Sequence, residues 1–316
     1  MLMLYFILLV VKFMVEELLK EQGYKEKEIG KILSSYSLLR FDEKKLVYHI
    51  NYIFNFLLSV GYTKKQIIKI TSSFPTIYSY NSKTLENKIC DILNLGYDMA
   101  PFFKMTLTAP QIYGLSYKNM KKKILDLENL GYTKEQTLKI TANYPTIYGL
   151  NIENIKKKIL DMETLGYTRK QVIQITTIFP PIYGLSIENI KEKIDEIETL
   201  GYQRRQVIQM TVSLPIIYGY NIDRLSEKIL YFRKIGIEEY ILKKPKNLMQ
   251  SVDLTYARYR FLSEEMGLDN ISSKARLLFL GENNFKRQFG TSKEELIKKY
   301  NYNENIREKG KTKVLE

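Results

Sequence analysis

Lys88, Lys123, Lys158, Lys193 and Lys228 occupy one position of a 35-residue period. Lys69, Lys104 and Lys139 fill a second, which Gln174 and Gln209 take over further along. A third group, Lys64, Lys134, Arg169, Arg204 and Arg205, falls where each copy reads as starting a helix. Cationic groups repeated at fixed intervals suit one chemistry above others, the binding of a polyanion at regularly spaced phosphates. Catalytic chemistry finds no constellation. His49 is the sole histidine, Cys90 the sole cysteine, and no Walker loop, dinucleotide-binding loop or metalloprotease motif occurs. No enzyme activity, cofactor, metal or small-molecule substrate is expected.

The charge sits with these columns. The formal charge of the 316-residue chain is +14, and residues 61–235 hold 25 basic and 16 acidic residues, a net +9. Such a balance favours nucleic acid as partner. One cysteine forms no internal disulfide framework, so a reducing compartment is expected.

The period that spaces the lysines is written in glycine, tyrosine and proline. Gly61, Gly96, Gly131, Gly166, Gly201 and Gly236 follow one another at 35 residues, the first five each before a tyrosine. Pro75, Pro110, Pro145, Pro180 and Pro215 come fourteen later, then Tyr78, Tyr113, Tyr148, Tyr183 and Tyr218. Gly23-Tyr24 reads as a degenerate first copy with Ser37 in place of proline, and Pro245 looks misplaced, nine after Gly236. Each unit reads as two helices. Thr63, Thr133 and Thr168, with glutamine three later, form capping boxes for the first. It stops before the proline, because a pre-proline residue resists helical geometry. Asn81, Ser116, Asn151, Ser186 and Asn221 cap the second, which ends at the next glycine in a left-handed C-cap. A lone helix pair cannot bury its apolar stripe, whereas stacked copies bury one another's. The columns of Ile89 and Leu95 are therefore core, as are Thr71, Thr106, Thr141, Thr176 and Thr211, whose hydroxyls can bond the preceding turn.

Charge placement opposes local preference. The cations at first-helix starts face the positive end of the helix dipole, and Asp126, Glu128, Asp161, Glu163, Glu196 and Glu198 gather at the negative end of second helices. The Lys88-type position borders the apolar stripe, so its stems lie on the core while the ammonium groups reach outward. A basic ladder on one side and an acidic one on the other is the expectation. The tyrosine columns either pack with hydroxyls at the surface or stack on bases.

The unit LGYTKEQTLKITANYPTIYGLNIENIKKKILDMETLG, 130–166, resembles the repeat of the mitochondrial transcription termination factor (mTERF) family, with Leu-Gly before the first helix, a proline closing it, and a second helix ending in the next Leu-Gly. ARYRFLSEEMGL, 257–268, and the following LLFLGENNFKRQFG are similar to the family's closing region, so the resemblance covers roughly 20–290. It implies an all-α superhelical solenoid, here of about six to seven 35-residue helix pairs, binding double-stranded DNA or structured RNA in a basic groove and acting in transcription termination or regulation, or in ribosome biogenesis. The lysine and arginine columns above are the candidate matches for the family's phosphate contacts. Pentatricopeptide repeats share the period but place proline between units rather than between paired helices. The expected ligand is double-stranded DNA first and structured RNA second, with a protein partner of a scaffold as the alternative; the chain is expected to be monomeric.

The expected organisation runs from an apolar segment, 1–22, through the degenerate repeat, 23–60, and five regular repeats, 61–235, to divergent capping repeats, 236–290, and a charged, flexible tail, 291–316. The first segment reads as a cap helix, a weak anchor or a mis-called start before Met14. With no clear signal or transit peptide, a cytoplasmic or nucleoid location fits a bacterial chain and an organelle a eukaryotic one.

Overall fold

The computed structural model describes residues 14–35 and 43–302. Segment 1–13, the Ser37 position and residues 303–316 lie outside the described residues. Among the described residues all regular structure is helical. The contacts divide the chain into two compact units, which meet between Lys157 and Lys158 inside the helix Ile152–Thr164.

In the first unit each regular repeat is a ten-residue helix, a five-residue 3-10 link and a longer second helix. The first helices are Lys64–Ser73, Met99–Thr108 and Lys134–Asn143. The links are Pro75–Ser79, Pro110–Gly114 and Pro145–Gly149. First helices pack on first helices, and the second helices Ser82–Leu93 and Tyr117–Asn129 on one another, giving two layers. The earlier pair, Glu26–Leu33 and Glu43–Val60, joins the same layers. Val15 and Leu19 are fully buried in its core.

The second unit repeats the scheme with first helices Arg169–Ile178 and Arg204–Ser213 and second helices Ile187–Thr199 and Ile222–Lys234. Pro245 is not misplaced. The first helix before it is shortened to Glu238–Lys243, so the proline still opens the link Pro245–Met249, ahead of Val252–Glu264.

The local signals do their expected work. Thr63 accepts from the Gln66 amide at 3.3 Å while Gln66 Oε1 accepts from the Thr63 amide at 2.8 Å. The cap column holds throughout: Asn81 accepts from Thr84 N–H at 2.8 Å, Ser186 from Asn189 N–H at 3.0 Å. Gly96 has φ +107°, and a Cβ there would be strained and would meet Leu138 Cδ1 at 3.4 Å. The glycine thus ends one helix and admits the next repeat's side chain.

One expectation is corrected at the C-terminus. Residues 291–302 do not form a flexible tail. Lys293–Lys299 is a helix opened by a Ser292–Glu295 capping box and packed on Val252–Glu264. Glu265 fixes its end by pairing with Lys299 at 3.0 Å and accepting from Tyr300 Oη at 2.6 Å.

Candidate nucleic-acid interface

Within each unit the tyrosine after the period glycine reaches into the next repeat. Tyr62 Oη lies 2.6 Å from Thr106 Oγ1 and 2.9 Å from Tyr113 Oη. Tyr24 does the same with Thr71 and Tyr78, Tyr97 with Thr141 and Tyr148, Tyr167 with Thr211 and Tyr218. Thr106 Oγ1 donates to the carbonyl of Phe102 at 3.0 Å, so it accepts from Tyr62, which in turn accepts from Tyr113. Burial pushes the Tyr62 phenol up to about 12, and those of Tyr78 and Tyr113 well above their ordinary value. In these four joints neither expectation holds. The hydroxyls are not at the surface and the rings cannot stack on bases, because each hydroxyl lies in a buried or part-buried chain.

The Lys88-type column is also structural. Lys123 Nζ donates to the carbonyl of Leu150, Lys158 Nζ to that of Leu185, and Lys228 Nζ to that of Leu248 at 2.7 Å. Lys88 lies 3.4 Å from the Leu115 carbonyl and 5.2 Å from the Tyr80 ring centre. Lys193 differs, pairing with Glu196 at 2.6 Å. Burial lowers the ammonium groups of Lys88, Lys123 and Lys228. The expected outward ladder is therefore corrected. The stems do lie on the core, but the heads of Lys88, Lys123 and Lys158 reach the carbonyl that closes the next repeat's link, and that of Lys228 a carbonyl within it.

The charges set against the helix dipole have a local cause too. Arg169 pairs with Glu163 at 2.8 Å, and Arg204 with Glu198 at 2.9 Å and Asp195 at 3.2 Å. The acidic end of one helix meets the basic start of the next across the glycine turn. This removes the need for an outside anion at those two arginines.

Of the candidate columns, the cations left exposed lie on the first helices. Lys64, Lys65, Lys69, Lys134, Lys139, Lys170 and Arg205 are exposed and without an ionic partner among the described residues. Lys104 is exposed and donates to Asn143 Oδ1 at 2.6 Å. Taken over both units, the first helices and links (63–79, 98–114, 133–149, 168–184, 203–219) carry ten basic residues against two acidic, Asp98 and Glu135. The second helices with their caps (81–95, 116–130, 151–165, 186–200, 221–235) carry 15 against 14. Nearly all the net charge of the repeats thus belongs to the first helices and their links. The lysine columns of the second helices conceal this, because those helices carry nearly as many acidic residues as basic ones.

The family model for mTERF matches residues 10–286. The chain belongs to the mTERF family. It is thus a nucleic-acid-binding helical-repeat protein of solenoid type, in a family that is generally non-enzymatic. No curated protein matches this mTERF chain. No helix among its described residues is long and apolar enough to cross a membrane.

Proposed function

We propose that this mTERF protein binds double-stranded DNA, with structured RNA second, through the exposed faces of its first helices, and acts without catalysis in the termination or regulation of transcription. The observation that carries the reading is the ten-to-two excess of basic over acidic residues on those helices and their links, beside balanced second helices. Lys69, Lys104 and Lys139 recur on adjacent packed helices, whose axes lie roughly 8–10 Å apart. A duplex carries about one charge per 1.7 Å of axis, so each ammonium group finds a phosphate without a special register. Such contacts supply affinity and position rather than sequence information. Monomeric action in a reducing compartment, the nucleoid or an organelle, accords with this reading.

Fluorescence anisotropy with labelled duplex DNA, duplex RNA and single-stranded RNA across a salt series tests it. Tight binding to duplex DNA that weakens steeply with salt is expected. The K69Q/K104Q/K139Q variant should lose affinity and about 0.9 of salt slope per phosphate contact removed. Absence of binding to all three at low salt overturns the proposal and favours a protein-binding scaffold.

A further inference from the structure

The exposed face of the first helices is not uniform along the chain. In the first unit each repeat presents a lysine, then a polar residue one turn on, then a polar link residue: Lys69, Ser73, Thr76; Lys104, Thr108, Gln111; Lys139, Asn143, Thr146. In the second unit the same positions hold Gln174, Ile178 and Pro181, then Gln209, Ser213 and Ile216. Ile178 is 49% exposed and Ile216 38% exposed. The helix carrying Ile178 packs on the link carrying Ile216, and Gln174 Nε2 reaches the Val212 carbonyl at 3.4 Å across the same joint. Amides and apolar side chains therefore share one solvent-facing strip. No acidic residue lies in 168–184 or 203–219, and Lys170 and Arg205 flank the strip, so a polyanion can approach it.

We infer that this strip of the second unit reads base edges of duplex DNA, with Gln174 and Gln209 on adenine and Ile178 and Ile216 on thymine methyl groups. The inference rests on the proposed binding of duplex DNA. A glutamine amide matches adenine N6 and N7 with one donor and one acceptor, and apolar side chains fit the thymine methyl, both in the major groove. A lysine at the same position holds phosphate and carries no such information. The charge complementarity belongs to the flanking Lys170 and Arg205, and the choice of bases to the neutral strip. Gln174 keeps its oxygen and most of its donor capacity, since its one internal bond is long.

The test is selection of a randomised duplex DNA library by the full chain and by the Q174A/Q209A/I178S/I216S variant, alongside plain duplex affinity and circular dichroism. Wild type should enrich sites with A·T pairs, each preferred by about tenfold over its G·C replacement. The variant should fold, bind unselected duplex within about threefold of wild type, and lose the enrichment. Duplex RNA should show no comparable preference, because its deep major groove is closed to side chains. Binding without enrichment by wild type, or enrichment unchanged in the folded variant, overturns base reading while leaving duplex binding intact. No binding of any duplex at low salt overturns both.

Discussion

Tyr62 places its hydroxyl 2.9 Å from that of Tyr113, and the pair is closed by Thr106 at 2.6 Å. The three groups come from two successive repeats, and both rings are buried. Replacing Tyr62 with Phe leaves the Tyr113 hydroxyl without its acceptor and Thr106 without its donor. A cost of about 1–3 kcal/mol is expected for orphaned buried groups. The triple variant Y62F/T106V/Y113F, which orphans nothing, should cost less than Y62F and Y113F summed. Urea unfolding followed by circular dichroism checks both, and a Y62F midpoint equal to wild type removes the chain from the stability argument.

The same burial fixes the response to alkali. Tyr62 is pushed up to about 12 from an ordinary value near 10, chiefly by desolvation, which the bonds to Thr106 and Tyr113 only partly offset. The folded state favours the neutral phenol. Its contribution is complete below pH 10 and is lost as pH rises from about 10 through about 12, where the unfolded chain has released the proton and the folded chain has not. Unfolding and tyrosinate absorbance should therefore rise together in that window. Full ionisation of the phenols with native dichroism intact would contradict the buried chains.

Lys123 and Lys193 hold equivalent positions but do unequal work. Lys123 is buried and clamps the Leu150 carbonyl, whereas Lys193 pairs with the half-exposed Glu196. Lys123→Met retains the apolar stem but orphans the carbonyl and should cost about 1.5–3 kcal/mol, the range for bonds to charged groups. Lys193→Met should cost about 0–1 kcal/mol, as for a partly exposed ion pair. Neither change should alter the salt dependence of duplex binding, in contrast to K69Q/K104Q/K139Q. Hydrogen exchange at Leu150 to Ile155 separates the two variants locally.

The fold was legible because its signals are local. Thr63 with Gln66, Asn81 before its helix and Gly96 after one each act within a few residues, and the structure uses them so. The assignment of Lys88, Lys123, Lys158 and Lys228 to an outward ladder failed because their acceptor is the carbonyl of a link in the next repeat. Sequence spacing places a lysine at the edge of a stripe but not the direction of its head. Arg169 and Arg204 misled for a related reason. Glu163 and Glu198 lie six residues before them, across a turn that brings opposite charges together. Pro245 looked displaced because the period was counted from glycine, whereas the structure conserves the link and shortens the helix.

The C-terminal cap turns on one buried cation. Arg258 is 1% exposed, donates to the carbonyls of Leu278 at 3.0 Å and Leu280 at 2.7 Å, approaches Glu282 at 3.5 Å, and sits 4.3 Å from the Phe285 ring centre. Burial lowers its guanidinium, which the Glu282 charge partly offsets. Its two carbonyl acceptors lie at the end of the 3-10 segment Ser272–Phe279, so the side chain holds that segment onto Val252–Glu264. Arg258→Met leaves both carbonyls unpaired and should cost about 3 kcal/mol or more, comparable to breaking a buried ionic contact. Glu282→Gln, at the exposed rim, should cost under about 1 kcal/mol. Hydrogen exchange should quicken across residues 272–289 in Arg258→Met while Ile67 to Tyr78 stay protected. Loss of protection in both places would mean that the cap supports the whole array rather than its own end.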